Sequence, residues 1–396
     1  MSVLLYGGGF NPPHPGHVAA LKSAVEALRP ERVLVIPDGR PPHKLLPADT
    51  PSAEDRLRLV RLAFREIPEA EILDLAIRRD GPCYMVDTLS ELERRYPGED
   101  WILLLGSDML LCLDQWFRAE ELLRGCAVAA LCRRDGQRDE LEQKAAELRA
   151  RYGARVLLLE HEPLPLSSSQ IRALLPKRKG SELLDGEVYR EIIRRRLYGA
   201  LPELSWLRQQ VYAMLKPKRI PHVAGCEQAA RRLAERWGLD PEQAAEAGIL
   251  HDMTKYWPDE EQLAYCARMG VELDEAERQN PLLYHARTGA VAARELFGAP
   301  PEICEAIRWH TTAKPGMNQL EKILYLADKL EQTRDYPGVK RLRGLAKKDL
   351  DAAMAESLRM TVQDIRDRHL DVYKDTLEAE QYYASRADEI KEEYTC

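Results

Sequence analysis

Hydrophobic and polar positions along this 396-residue chain fall into two rhythms. Through the first half, short apolar runs recur: SVLLY (2–6), RVLVIP (32–37), EILDLAI (71–77), WILLLG (101–106), AVAALC (127–132) and RVLLLE (155–160). Between them lie stretches with apolar residues at helical spacing, such as VAALKSAVEAL (18–28), EDRLRLVRLAF (54–64) and DELEQKAAELRARY (139–152). Six strand-then-helix units predict an α/β fold, a Rossmann-like, mainly parallel sheet with helices on both faces. Ligands of such sheets bind at the carboxyl ends of the strands.

After about Gly199 the strand signal stops. Residues 204–215, 223–237, 241–251, 288–297, 320–333 and 350–360 all carry helical spacing, and Val-rich runs are absent. This predicts an all-α second half. The stretch YGALPEL (198–204) reads as a short junction, so the expected domains are 1–200 and 204–396. The highly charged end, 374–396, reads as a solvated helix.

Composition narrows the function classes. No apolar run reaches the ~18 residues that a membrane span needs. The start has no basic stretch before an apolar core, so it does not read as a signal peptide. Eight cysteines are scattered without a CxxC pair, which fits reduced thiols and a cytoplasmic setting. The formal net charge of −7 argues against broad binding to nucleic acid, though not against a local pocket for small phosphates. No membrane or nucleic-acid partner is expected, and oligomeric state leaves no mark in the sequence.

The first chemical signal is LLYGGGFNPPHPGH (4–17), where an apolar run meets three glycines, Asn11 and two histidines. A chain leaving a parallel strand must turn sharply into a helix. Glycine permits close backbone approach to a ligand, and amides at the next helix's start suit phosphate. With His17 at a helix start, the three-residue spacing lets the His14 and His17 rings face one side. Such rings can donate to phosphate oxygens and stabilise charge growing in a transition state.

This string resembles the signature of the HxGH nucleotidyltransferases, and the resemblance runs on through PPHK (41–44), CYMVDTL (83–89), LGSDML (105–110), QWFRAEELL (115–123), CRRDG (132–136), LSSSQIR (166–172) and VYREIIRRRLY (188–198). It covers nearly all of 1–199 and is most similar to the nicotinate-nucleotide adenylyltransferases. The resemblance implies transfer of AMP from ATP to nicotinate mononucleotide, aided by Mg²⁺. It implies that Gly8, Gly9, Phe10 and Asn11 lie along the nucleotide, that His14 and His17 contact ATP phosphates, and that Lys44 reaches them from the other side. It also implies that Ser168, Ser169 and Arg172 hold the outer phosphates, that Gly106 and Asp108 meet the adenosine, and that Thr88, Trp116 and Arg133 shape the pyridine pocket. The attacking group is already a phosphate anion, so no general base is needed. Taken singly, Trp116 fits a core position, Asp108 a helix N-cap and Lys44 a solvated charge; the joint pattern carries the reading. Three positions depart from the family: Gly9 for a hydroxyl residue, Met85 for a threonine, and Ser169 for the motif's threonine. Ser169 keeps the hydroxyl; Gly9 and Met85 leave acid versus amide at the pyridine ring open.

The second signal lies in the helical half. His222, His251–Asp252, His285, His310 and Asp328 each sit on or beside a predicted helix, in apolar surroundings. One His-Asp pair is usually a satisfied pair and no more. Four histidines and two aspartates are harder to explain as packing, because buried ionisable groups must be paired or ligated. Imidazole with carboxylate suits iron, manganese or zinc. His222, His251, Asp252 and Asp328 could hold one ion; His285 and His310 would serve a second, with Asp252 bridging. Two such ions can generate hydroxide and clamp a phosphoryl group. Lys255 is placed to neutralise phosphate, and Arg219 and Arg334 are weaker candidates for the same work. HDMTK (251–255) resembles the His-Asp-x-x-Lys motif of the HD-domain phosphohydrolases. Across 205–385 the chain is most similar to bacterial YqeK-type enzymes. That implies a binuclear iron centre and symmetrical hydrolysis of diadenosine tetraphosphate to two ADP. The alternatives are another nucleotide substrate, or a nucleotide-sensing module that regulates the first half.

Overall fold

Six strands lie side by side in one parallel sheet: β1 (Ser2–Gly8), β2 (Arg32–Pro37), β3 (Ala70–Ile72), β4 (Asp100–Gly106), β5 (Ala127–Cys132) and β6 (Arg155–Glu160). Their order is β3-β2-β1-β4-β5-β6, and every pairing is parallel. The computed structural model describes residues 1–40, 47–132 and 138–393. The chain divides into two units, Met1–Leu201 and Pro202–Cys396.

In the first unit, helices flank the sheet as the strand–helix alternation predicts. Val3, Leu4, Leu34, Leu103 and Val128 are completely buried, as parallel strands covered on both faces require. The helix Pro15–Leu28 starts on a proline, whose missing N–H is no loss in a first turn. It closes on Arg29, which takes a left-handed conformation (φ 48°).

One expected strand is much shorter than the apolar run EILDLAI suggested. Only Ala70–Ile72 pair with β2. The Asp74 carbonyl then accepts from the amides of Ile77 and Arg78, and Leu75–Arg78 turns helical. Arg78 Nε also reaches back to Asp74 Oδ2 at 2.8 Å. β3 is an edge strand, so no second neighbour holds this segment extended.

The second unit is all helical among its described residues. Ile220–Trp237 and Pro241–Leu250 pack closely because alanines meet between them; Ala229, Ala230, Ala244, Ala245 and Ala247 are all at most 2% exposed. Gly248 allows the approach: a Cβ there would stand 2.8 Å from Glu227 Cα. Tyr284–Phe297, Pro301–Trp309 and Gln319–Leu330 complete the core.

The helix Lys374–Glu393 corrects the expectation of a solvated terminus. It packs along Leu350–Asp367. Thr376, Ala379 and Tyr383 are buried, and the Tyr383 hydroxyl accepts from the Met317 amide at 3.0 Å. The burying positions form a sparse stripe at helical spacing, which the surrounding charge conceals. Among the described residues no helix is long and apolar enough to cross a membrane.

Candidate functional site

The first site follows from strand order. β1 and β4 are neighbours, but β1 connects onward to β2 and β4 to β5, on opposite sides. Such a reversal leaves a crevice at the carboxyl ends of the strands. A cleft of about 430 Å³ opens there, walled by Tyr6 to Asn11, His17, Cys83, Met85, Gly106, Trp116, Ser168 and Arg172 among others.

The glycine turn is shaped on both sides. A Cβ on Gly7 would collide with Met85 Cε, whereas one on Gly9 would meet nothing within 4 Å. Phe10 sits at φ 42° and is 3% exposed. Its ring packs edge-on against Tyr6 (5.4 Å between centroids) and His17 (5.1 Å). The His14 and His17 rings lie 3.8 Å apart, and the His14 amide donates to His17 Nδ1 at 3.2 Å. With Nδ1 accepting, a neutral His17 ring carries its proton on Nε2. Burial, then the neighbouring His14, lowers the His17 pKa to about 3. Burial lowers His14 to about 4. At neutral pH both rings therefore offer N–H donors without charge.

The serine run beyond β6 divides its work. Ser167 caps its helix by accepting from the Gln170 amide. Ser168 Oγ donates to the Pro12 carbonyl at 2.9 Å. Ser169 Oγ accepts from Arg172 Nη2 at 3.1 Å, and Arg172 Nη1 reaches the Asn11 carbonyl. The helix Ser168–Leu174 is thus tied to the turn that follows β1.

Other expected residues lie differently. Thr88 is 2% exposed and off the cleft wall; its hydroxyl bonds the Tyr84 carbonyl and accepts from Arg79. Met85 stands on the wall instead. Asp108 is exposed in the first turn of Ser107–Leu111, beside the lining residues Gly106 and Met109. Lys44 and Arg133 fall outside the described residues.

Sequence reasoning missed Arg56. It is 1% exposed and donates to three carbonyls: Gly9 O at 3.0 Å, Asp38 O at 2.6 Å and Gly39 O at 2.7 Å. It ties the glycine turn to the chain leaving β2. Its signal was available, since Arg56 shares a helical face with the buried Leu59, Val60 and Ala63. Beside it, burial raises the Asp38 carboxyl to about 6 against the pull of Arg56.

The second site is a buried cluster. His222, His251, Asp252, His285, His310 and Asp328 are each at most 6% exposed, and five helices or their ends bring them together. His222 Nε2 lies 3.1 Å from Asp328 Oδ1 and 3.8 Å from Asp252 Oδ2. His251 Nε2 is 3.5 Å from that same Oδ2. Asp252 Oδ1 faces the other pair, 3.4 Å from His285 Nε2 and 3.8 Å from His310 Nε2. Each oxygen of one carboxylate thus faces its own pair of imidazoles.

Three rings are held by their far nitrogens. The Nδ1 atoms of His251 and His310 bond the carbonyls of Gly248 (2.7 Å) and Ile307 (2.6 Å), and His222 Nδ1 bonds Glu331 Oε1 (3.2 Å). Each Nε2 is left pointing inward, the usual arrangement of ligating histidines. His251 Nε2 and Asp252 Oδ1 are buried with no hydrogen-bond partner. Orphaned acceptors of this kind fit a cation. The donors form two overlapping groups, each within 4.8 Å: His222, Cys226, His251 and Asp328; and His251, Asp252 and His310.

Cations surround the cluster. Arg219 pairs with Asp252, Arg334 with Asp328 at 2.8 Å, and Lys255 Nζ lies 3.1 Å from His285 Nε2. Burial alone would raise Asp252, but His251, His285 and Arg219 hold it below the usual carboxylate range. Burial lowers Lys255, with Asp252 opposing. Sequence reasoning overlooked Cys226 and Glu331. They stand four residues after His222 and three after Asp328, on the same helical faces.

The family described as Cytidylyltransferase-like matches residues 5–174, and the one described as HD domain matches residues 219–333. A protein of Carboxydothermus hydrogenoformans named "Probable nicotinate-nucleotide adenylyltransferase" is 33% identical over 195 residues, covering 49% of this chain and 96% of its own length. The Bacillus subtilis "Bis(5'-nucleosyl)-tetraphosphatase, symmetrical" is 37% identical over 174 residues, covering 44% of this chain and 91% of its own. A Mycoplasma pneumoniae protein named "Probable nicotinate-nucleotide adenylyltransferase/Ap4A hydrolase" is 27% identical over 363 residues, covering 90% of this chain and 98% of its own.

Proposed function

We propose, because the chain belongs through its first half to the nicotinate-nucleotide adenylyltransferases and through its second to the HD-domain symmetrical bis(5′-nucleosyl)-tetraphosphatases, that it carries two separate nucleotide chemistries. In the first, the phosphate of nicotinate mononucleotide attacks the α-phosphorus of ATP. The new P–O–P bond forms as the bond to pyrophosphate breaks, and Mg²⁺ enters with the triphosphate as part of the substrate. The nucleophile is already an anion, so the protein has only to align the two groups and neutralise charge. His17 Nε2–H and Arg172 are the donors we assign to the phosphates, with His14 fixing the His17 ring. Trp116 and Met85 give the cleft apolar walls for a base or pyridine ring. Lys44 and Arg133 are assigned on resemblance alone.

In the second unit, hydrolysis of diadenosine tetraphosphate between its middle phosphates consumes one water and gives two ADP. The observation that supports this reading is Asp252, whose oxygens face separate imidazole pairs while Oδ1 and His251 Nε2 have no partner. His222, His251, Asp252 and Asp328 would hold one ion, and His285, His310 and Asp252 a second; iron is our assignment. Bound there, two transition-metal ions supply Lewis acidity and activate water near neutral pH. Arg219, Lys255 and Arg334 lie close enough to the cluster to meet phosphate charge.

Two substitutions in the full chain test the pair of assignments. His17→Ala is expected to abolish formation of nicotinate adenine dinucleotide and leave ADP release from diadenosine tetraphosphate intact. Asp252→Ala is expected to do the reverse. Loss of both activities from either folded variant overturns the picture of independent sites. Preference for nicotinamide mononucleotide over the nicotinate form, in competition for labelled ATP, overturns the pyridine assignment.

A further inference from the structure

The contacts that hold the rings of the buried cluster are not alike. His251 and His310 turn their Nδ1 atoms to the backbone carbonyls of Gly248 and Ile307. His222 meets a side-chain carboxylate instead, with Nδ1 3.2 Å from Glu331 Oε1. Glu331 is 0% exposed, and an acid is almost never buried so completely unless it is paired.

The other polar neighbours of this carboxylate, among the described residues, are donors. Oε2 accepts from the Thr333 amide at 2.6 Å, and Oε1 accepts from the Thr333 hydroxyl. Arg334 Nε stands 3.8 Å from Oε1. An ionised carboxylate only accepts, so the bond to the ring is made with a proton on His222 Nδ1. A neutral ring fixed in this way leaves the Nε2 lone pair for the cluster. There Nε2 faces Asp328 Oδ1 at 3.1 Å. Two acceptors set face to face fit a cation shared between them.

A turn-forming glutamate would explain the bonds to Thr333 but not the approach to His222. That approach depends on Gly225, buried in the helix Ile220–Trp237 one turn beyond His222. A Cβ on Gly225 would collide with Glu331 Oε2 and stand 3.0 Å from Glu331 Cδ. Glycine inside a helix costs about 1 kcal/mol relative to alanine, and here it leaves the space that the carboxylate fills. On the chain's other side, Arg343 clamps the turn that carries Glu331. It donates to the carbonyls of Leu330 at 2.8 Å, Glu331 at 2.7 Å and Arg334 at 2.9 Å.

We propose that Glu331 is a positioning residue of the metal centre. It holds the Nδ1 proton of His222, aims Nε2 at the ion shared with His251, Asp252 and Asp328, and strengthens that nitrogen as a ligand. Gly225 keeps its place open. This inference rests on the reading that the cluster binds metal.

Zinc serves as the probe, on the full chain stripped by chelator. In zinc-loaded wild-type protein, long-range proton–nitrogen spectra of the histidine rings are expected to show His222 with its proton on Nδ1 and zinc on Nε2. Glu331→Gln keeps the shape of the side chain. Its amide either sets an NH₂ group against the Thr333 amide or turns that group toward His222, which then needs the wrong tautomer. Zinc affinity, read by competition with a chromophoric chelator, is expected to fall roughly 10–100-fold, and the His222 Nδ1 proton signal to be lost to exchange. Gly225→Ala leaves the carboxylate intact but displaces it, and is expected to weaken zinc in the same direction. Zinc affinity within about threefold of wild type in either folded variant, well short of the loss of an outer-shell partner, overturns the role of Glu331. A wild-type ring with its proton on Nε2 does the same and needs no variant. Either result leaves the metal reading standing. Failure of the wild-type chain to bind zinc overturns both.

Discussion

Replacing Arg56 by methionine keeps most of the side-chain volume and removes its donors and charge. The guanidinium is 1% exposed and bonds the carbonyls of Gly9, Asp38 and Gly39. A carbonyl left without its partner costs about 1–3 kcal/mol. The low end applies, because the chain at Gly9, Asp38 and Gly39 is only half-buried and the substitution also removes the cost of burying a charge. Three carbonyls at about 1 kcal/mol each give about 3 kcal/mol. At about 1.4 kcal/mol per factor of ten, amides of β1 and β2 that open with the global transition are expected to exchange roughly 150-fold faster. Peptide-resolved hydrogen exchange on the full chain measures this, with peptides from Pro241–Leu250 as internal reference. A loosened Gly9 carbonyl is also expected to raise the KM for ATP. A speed-up below about fivefold, equivalent to about 1 kcal/mol, refutes the view that Arg56 holds the turn.

Three further outcomes are expected. Unfolding leaves His14 and His17 near pKa 6.5, against about 4 and about 3 in the fold. The unfolded chain therefore takes up more protons below pH 6.5, and the first unit loses stability as pH falls from there toward 4, by at most about 1.4 kcal/mol per pH unit for each ring. Denaturant midpoints at pH 7.5 and 5.5 check this; an equal pH effect in a His14→Gln, His17→Gln double variant refutes it. Chelation is expected to lower the unfolding temperature of the second unit, since an ion at a hundred times its Kd contributes about 2.7 kcal/mol; a calorimetric transition indifferent to chelator and to added zinc contradicts a metal-binding cluster. Tyr383→Ala, at a position 0% exposed, is expected to cost about 3–5 kcal/mol and Tyr383→Phe about 1 kcal/mol for the orphaned Met317 amide. Urea midpoints unchanged in both would mean the terminal helix is solvated after all.

Much of the architecture is written locally. Runs such as WILLLG and AVAALC admit little but buried parallel strands, and β4 and β5 follow. EILDLAI misled because Asp74 draws the amides of Ile77 and Arg78 into a turn, and an edge strand has no second neighbour to resist. Thr376, Ala379 and Tyr383 failed to register because three burying positions among many charges barely disturb a composition. In the second unit, the His and Asp residues stood out because chemistry confines them to few roles, and the structure brings them together. Arg56, Cys226 and Glu331 are common residue types whose meaning depends on what faces them across the fold. That information is tertiary, and only the packed helices supply it.

One unbroken stretch supplies first a slab of the core and then the floor of a cleft. Val3, Leu4 and Leu5 are at most 1% exposed, while Gly7 and Gly8, still paired with β2, and Gly9 beyond them are half-buried and line the cleft. A saturation library over residues 3–17, scored once for soluble abundance and once for product per folded molecule, would therefore split into two blocks. Variants at Val3 to Leu5, and at the buried Phe10, would vanish from the first score, and those at Gly9 and His17 would persist there and fade from the second. The border between the blocks would mark, at single-residue scale, where the strand's task ends and the enzyme's begins.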